Sequence, residues 1–124
     1  MKLNIYSFFI FLFYAAMASA TPPSEILLSY DTDKSILHVS ARHPSERLQR
    51  HYLRRLVISK NDVVVQTVTF SSQKLASGLE EDIEFKADPG DKISVEVFCS
   101  QGGSKKAELL IPKPDGEKDQ HAAQ

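Results

Sequence analysis

Alternation of apolar and polar residues runs through most of the chain between residues 26 and 111, and its period is two. In Glu81 to Ala87, Ile83, Phe85 and Ala87 share one face while Asp82, Glu84 and Lys86 share the other, the pattern of a strand buried on one side. Ile93, Val95, Val97 and Cys99 form the inward row of the next strand, with Ser94 and Glu96 directed outward. Ile26 to Tyr30 and Ser35 to Arg42 are two short runs joined by Asp31-Thr32-Asp33-Lys34, whose carboxylates suit a turn. His51 to Ser59 and Val63 to Phe70 are rich in β-branched and aromatic residues and flank Asn61-Asp62, which predicts a hairpin. Lys106 to Ile111 supplies the last strand, Asp88-Pro89-Gly90-Asp91 a tight turn, and Ser71 to Gly78 a polar loop with a short helical turn around Gln73 to Ala76. Seven short strands with regularly spaced turns predict an all-β fold, an immunoglobulin-like antiparallel β-sandwich.

The two ends of the chain read differently. Lys2, the apolar run Ile5 to Ala16 and the small-residue signal Ala18-Ser19-Ala20 are the parts of a secretory signal peptide over residues 1–20. The apolar run is shorter than the roughly 20 residues that a membrane span needs. The expected location is therefore periplasmic or secreted, with no stable membrane anchor after cleavage before Thr21. Residues 21–112 are the size of one domain. Residues 113–124 are polar and aperiodic, which predicts a disordered tail containing His121.

Charge adds an exclusion. Without Lys2 the chain carries 14 basic and 16 acidic residues, a balance that gives no electrostatic footprint for nucleic acid. Arg42, Arg47, Arg50, Arg54 and Arg55 are nonetheless clustered, either as solvated side chains or as a rim that attracts anions. A single cysteine cannot make an internal disulfide, so Cys99 is a free thiol, a link to another chain or a metal ligand. With His43 and His51 it forms a candidate metal set. Imidazole and thiolate suit iron, copper or zinc far better than calcium or magnesium.

The segments His43-Pro44, His51-Tyr52-Leu53 entering a strand, and Cys99-Ser100-Gln101-Gly102-Gly103 after a late strand resemble the ferrous-iron domain of desulfoferrodoxin and neelaredoxin, the superoxide reductases, over roughly Ser35 to Ile111. The resemblance implies a β-sandwich with non-haem iron held by His43, His51 and Cys99. It also implies reduction of superoxide to peroxide with electrons from an external donor. In that family four histidine nitrogens and an axial thiolate bind the iron, and the thiolate raises its electron density, as it does in haem enzymes.

The chain departs from the family pattern at Gly102, which stands where a ligand histidine is expected, and in residues 21–34, which contain neither the histidine nor the lysine of the family's mobile loop. The interval from His43 to His51 is two residues longer than usual. His38 is an odd number of positions from His43, so it is expected on the other face and not as a ligand. Gln101, Glu46 and Asp91 are the oxygen donors available to substitute. Two histidines and a cysteine also suit a four-coordinate zinc or copper site. Two other classes fit the pattern: a non-catalytic immunoglobulin-like binding module presenting the arginine-rich loop, and a SoxZ-type sulfur-compound carrier, against which stands the absence of a Gly-Gly-Cys arm.

Overall fold

The computed structural model describes residues 21–114; the segment expected to be a signal peptide, most of the expected tail and His121 lie outside them. Seven antiparallel strands form two sheets: β1 (Glu25–Asp31), β2 (Ile36–Arg42), β3 (Leu53–Lys60), β4 (Val63–Thr69), β5 (Gly78–Glu84), β6 (Lys92–Cys99) and β7 (Ser104–Leu110). The first sheet has the order β1-β2-β5 and the second β4-β3-β6-β7, so the fold is a β-sandwich. No helix occurs among the described residues, and none there is long and apolar enough to cross a membrane.

Alternation does the folding work. Leu37, Val39 and Ala41 of β2 meet Leu56 and Ile58 of β3 and Ile93, Val95 and Val97 of β6 in one core, all nearly inaccessible to water. Removing that much apolar surface from water is the main favourable contribution to the fold. The turns follow their residue chemistry. Asp31 Oδ1 accepts from the amides of Asp33 and Lys34 at 3.0 and 3.1 Å. Asn61 and Asp62 have φ of 51° and 70°, the paired left-handed conformation whose twist matches a two-residue hairpin.

Four details differ from the sequence pattern. β3 begins at Leu53, leaving His51 in the bend before it. β5 begins at Gly78, because Gly78 pairs with Arg42 and carries the ladder three residues further toward the loop. The expected helical turn at Gln73 to Ala76 is instead an irregular segment closed by a bridge between Leu75 and Gly78, in which the buried Gln73 side chain donates to His43 O and Leu75 O. Ser94 has the outward parity expected of it but is 1% exposed, because it is a short side chain on an inner strand between Ser59 and Glu108.

Candidate metal centre

The chain brings its two candidate histidines and its cysteine to one end of the sandwich. His43 follows the last residue of β2. Pro44 disfavours a helical conformation at the residue before it, so His43 continues the extended path of the strand. Its amide donates to Ser77 O at 2.8 Å, and the Ser45 amide donates to Ala76 O at 2.8 Å. This close approach of the 76–78 loop requires glycine at 78: its φ is 150°, and a Cβ there would lie 1.9 Å from Ala41 O.

His51 is placed by the loop that precedes β3. The amides of Arg50 and His51 both donate to Arg47 O, at 3.0 and 2.8 Å, and the Ser45 hydroxyl donates to His51 O. Ser100 then laces this loop to the end of β6: its amide donates to Tyr52 O at 2.8 Å, its hydroxyl donates to Arg50 O at 3.0 Å, and that hydroxyl accepts from the Tyr52 amide at 3.0 Å. Cys99, the last residue of β6, faces inward opposite Leu53. An extra residue at Arg54 shifts the β3–β6 register, which lets Leu53 and Leu56 both face the core.

The result is a compact cluster. One donor atom from each of His43, His51 and Cys99 lies within 4.8 Å of the others. The two imidazoles meet edge to face, with centroids 4.7 Å apart and planes at 80°. His43 and Cys99 are buried and His51 is half-buried at the rim, beside a shallow depression lined by Ser45, Glu46, Arg47 and Gln101. Burial, reinforced by neighbouring His43 and the Arg47 guanidinium, holds the His51 imidazole below the ordinary histidine range.

Gln73 fixes the tautomer of His43. Its side-chain NH2 donates to His43 O and Leu75 O, both at 2.8 Å, so its Oε1 is the face turned to His43 Nδ1 at 3.0 Å and to the Leu53 amide at 3.2 Å. His43 Nδ1 must therefore carry hydrogen, which leaves Nε2 as the ring nitrogen turned toward the cluster. Nε2 lies 3.0 Å from Thr21 O, a contact that needs a proton or a cation between the two. A histidine whose outer nitrogen is tied to an amide oxygen while its inner nitrogen faces other donors is the usual arrangement of a metal ligand. The donor set and the orientation of the His43 ring both fit a thiolate-binding transition metal.

The other candidate residues are distributed differently. His38 is half-exposed on the outer face of the β1-β2-β5 sheet, ion-paired with Asp82 through Nδ1 and with Glu80 through Nε2 at 3.0 Å, and takes no part in the cluster. Asp91 is excluded as a ligand: it lies before the first residue of β6, at the strand end opposite Cys99, where it accepts from Asn61 at 3.0 Å. Gln101 reaches the centre through its backbone, its amide donating to Cys99 Sγ at 3.5 Å. Gly102 has a φ of 99° with open space around a Cβ, so a ligand histidine there would fit sterically but carry backbone strain of about 1–3 kcal/mol. Arg42, Arg47, Arg50 and Arg54 are exposed, whereas Arg55 stacks its guanidinium 4.1 Å above the Phe98 ring.

Two residues of the centre carried no sequence signal. Thr21 touches all three donor residues, and Gln73 is 3% exposed in what reads as an ordinary polar loop. The described chain is thus an all-β sandwich with a His-His-Cys cluster capable of holding a metal ion. No protein-family model, no curated protein and no solved structure matches it.

Proposed function

We propose that this chain is an exported, superoxide reductase-like protein that holds one transition-metal ion between His43, His51 and Cys99. The observation that carries the reading is the approach of two imidazole nitrogens and one thiol sulfur to within 4.8 Å of one another. Iron is the metal that the resemblance favours. When bound, such an ion would supply one-electron chemistry, and the thiolate would raise its electron density. The exposed Arg47 beside the rim would draw an anion such as superoxide toward it, and an external reductant would restore the ferrous state. Three of the family's five ligand positions are filled, so superoxide consumption is expected to be much slower than in a complete member.

A second reading rests on a different observation. The only further donor against the cluster among the contacts described above is Thr21, a small oxygen set and not two more imidazoles. Two histidines, a cysteine and a weak oxygen donor make a four-coordinate set, which suits copper or zinc.

Metal analysis of protein recovered from an exporting host, with an absorption spectrum of the oxidised form, separates the readings. A thiolate-to-iron charge-transfer band supports the first, a thiolate-to-copper band or a colourless zinc protein the second. Cys99→Ser is expected to remove the band and most of the bound metal. Stoichiometric metal that survives Cys99→Ser in a folded protein would overturn both.

A further inference from the structure

One residue lies against all three donors. Thr21 O is 3.0 Å from His43 Nε2, and Thr21 Oγ1 is 2.5 Å from His51 Nε2 and 3.4 Å from Cys99 Sγ. The arm that presents it is stiff. Pro22 restricts Thr21 to extended conformations, the Pro23 side chain is fully buried, and the Ser24 amide donates to Arg42 O at 2.9 Å, which docks the arm on the end of β2. Thr21 is also the residue that follows the small-residue pattern Ala18-Ser19-Ala20.

We propose that export makes Thr21 the first residue of the mature chain, and that its freed α-amine, together with its carbonyl or hydroxyl oxygen, completes the coordination of the ion held by His43, His51 and Cys99. The proposal rests on the metal-binding reading above. Hydrolysis of the Ala20–Thr21 amide by a signal peptidase consumes one water and leaves a carboxylate on Ala20 and an amine on Thr21. Before the cut, the Thr21 nitrogen shares its lone pair with the carbonyl of residue 20 and is a poor ligand. After the cut, that lone pair is available once the ammonium releases its proton to solvent. The amine and either oxygen of Thr21 are two carbons apart, so each pair closes a five-membered ring around an ion, the favoured chelate size. His43 Nε2 and the Thr21 carbonyl oxygen, 3.0 Å apart, then share the same cation. Processing and metal loading become one event: the precursor binds weakly and the mature protein tightly.

The test uses the full-length gene in an exporting host, with the mature end read by intact mass. A variant with one alanine inserted between Ala20 and Thr21 is processed to a chain in which Thr21 keeps its side chain and carbonyl but its nitrogen remains an amide. Apo-forms of wild type, this variant and Cys99→Ser are titrated with Cu2+, Fe2+ and Zn2+, and the Cu2+ forms are examined by electron paramagnetic resonance. Wild type is expected to bind at least tenfold more tightly than the inserted variant and to show one more coupled nitrogen, while the two apo-proteins melt alike. Equal affinity and equal nitrogen coupling, with Cys99→Ser still impaired, would overturn the role of the amine and leave the three-residue centre standing. A mature end other than Thr21 would overturn it as well. Metal binding absent from wild type would overturn the centre and the proposal together.

Discussion

Gln73 decides more than its single side chain suggests. Its amide oxygen and amide nitrogen satisfy four buried groups: His43 Nδ1, the Leu53 amide, His43 O and Leu75 O. Leaving buried donors and acceptors unpaired costs about 1–3 kcal/mol each. Gln73→Ala is therefore expected to lower unfolding stability by about 2–4 kcal/mol in urea titration, allowing for water entering the gap. Gln73→Glu keeps the acceptor for His43 Nδ1 and loses the donors to the carbonyls, so it should retain metal affinity better than stability. Loss of an outer ligand to a metal-bound histidine typically costs about 10–100-fold in affinity, and Gln73→Ala should fall in that range by metal titration.

His38 gives a pH effect of known sign. Its hydrogen bond to Asp82, aided by the charges of Asp82 and Glu80 and opposed by slight burial, raises it above the ordinary histidine value. A raised base stabilises the folded chain below the unfolded value of about 6.5 and loses that contribution as pH rises through the folded one. His38→Gln should thus be less stable than wild type at about pH 5.5, and the difference should vanish in alkaline solution. Because the three groups are exposed, the difference should also shrink in high salt. A denaturant midpoint that shifts equally at both pH values would reject the ion-pair origin.

At the scale of elements, what the sequence makes legible is the repeating part. All seven strands fall within three residues of the apolar alternation, because that pattern is what a half-buried strand requires. The irregular pieces are not legible, and they are the ones that build the centre. The extra residue at Arg54 breaks the alternation of β3, and the 76–78 loop hugs His43 through backbone bonds that no side chain announces. His43, His51 and Cys99 are readable as ligand types, whereas Thr21 acts partly and Gln73 wholly through amide and hydroxyl chemistry that any surface loop contains. Gly78 was equally silent. A Cβ there meets the Ala41 carbonyl at 1.9 Å and His43 N at 2.9 Å, so Gly78→Ala must separate β5 from the end of β2. The expected loss is about 2–4 kcal/mol of stability. It should be accompanied by weakened metal binding, whereas a change confined to stability would show that the loop does not hold His43 in place.

Across the whole molecule, His43 directly follows the end of a strand of one sheet and Cys99 ends a strand of the other, so an ion held between them would rivet the two layers at that end. A chain with one cysteine has no internal disulfide with which to do this. The rivet would span the 57 residues from His43 to Cys99, and closing a loop of that size removes on the order of 4 kcal/mol of unfolded-state entropy in the chain-entropy model of cross-links. Loading the ion should raise the melting temperature by several degrees or more, by an amount that grows with free metal concentration. The gain should be undone by a chelator. Hydrogen exchange should locate the loosening: without metal, the amides at the ends of β2 and β6 near the centre would open first, while those around the Asn61 and Asp91 turns at the far end stay as slow as before. A removable rivet of this kind would make one end of the sandwich a gauge of metal supply, with rigidity as its readout.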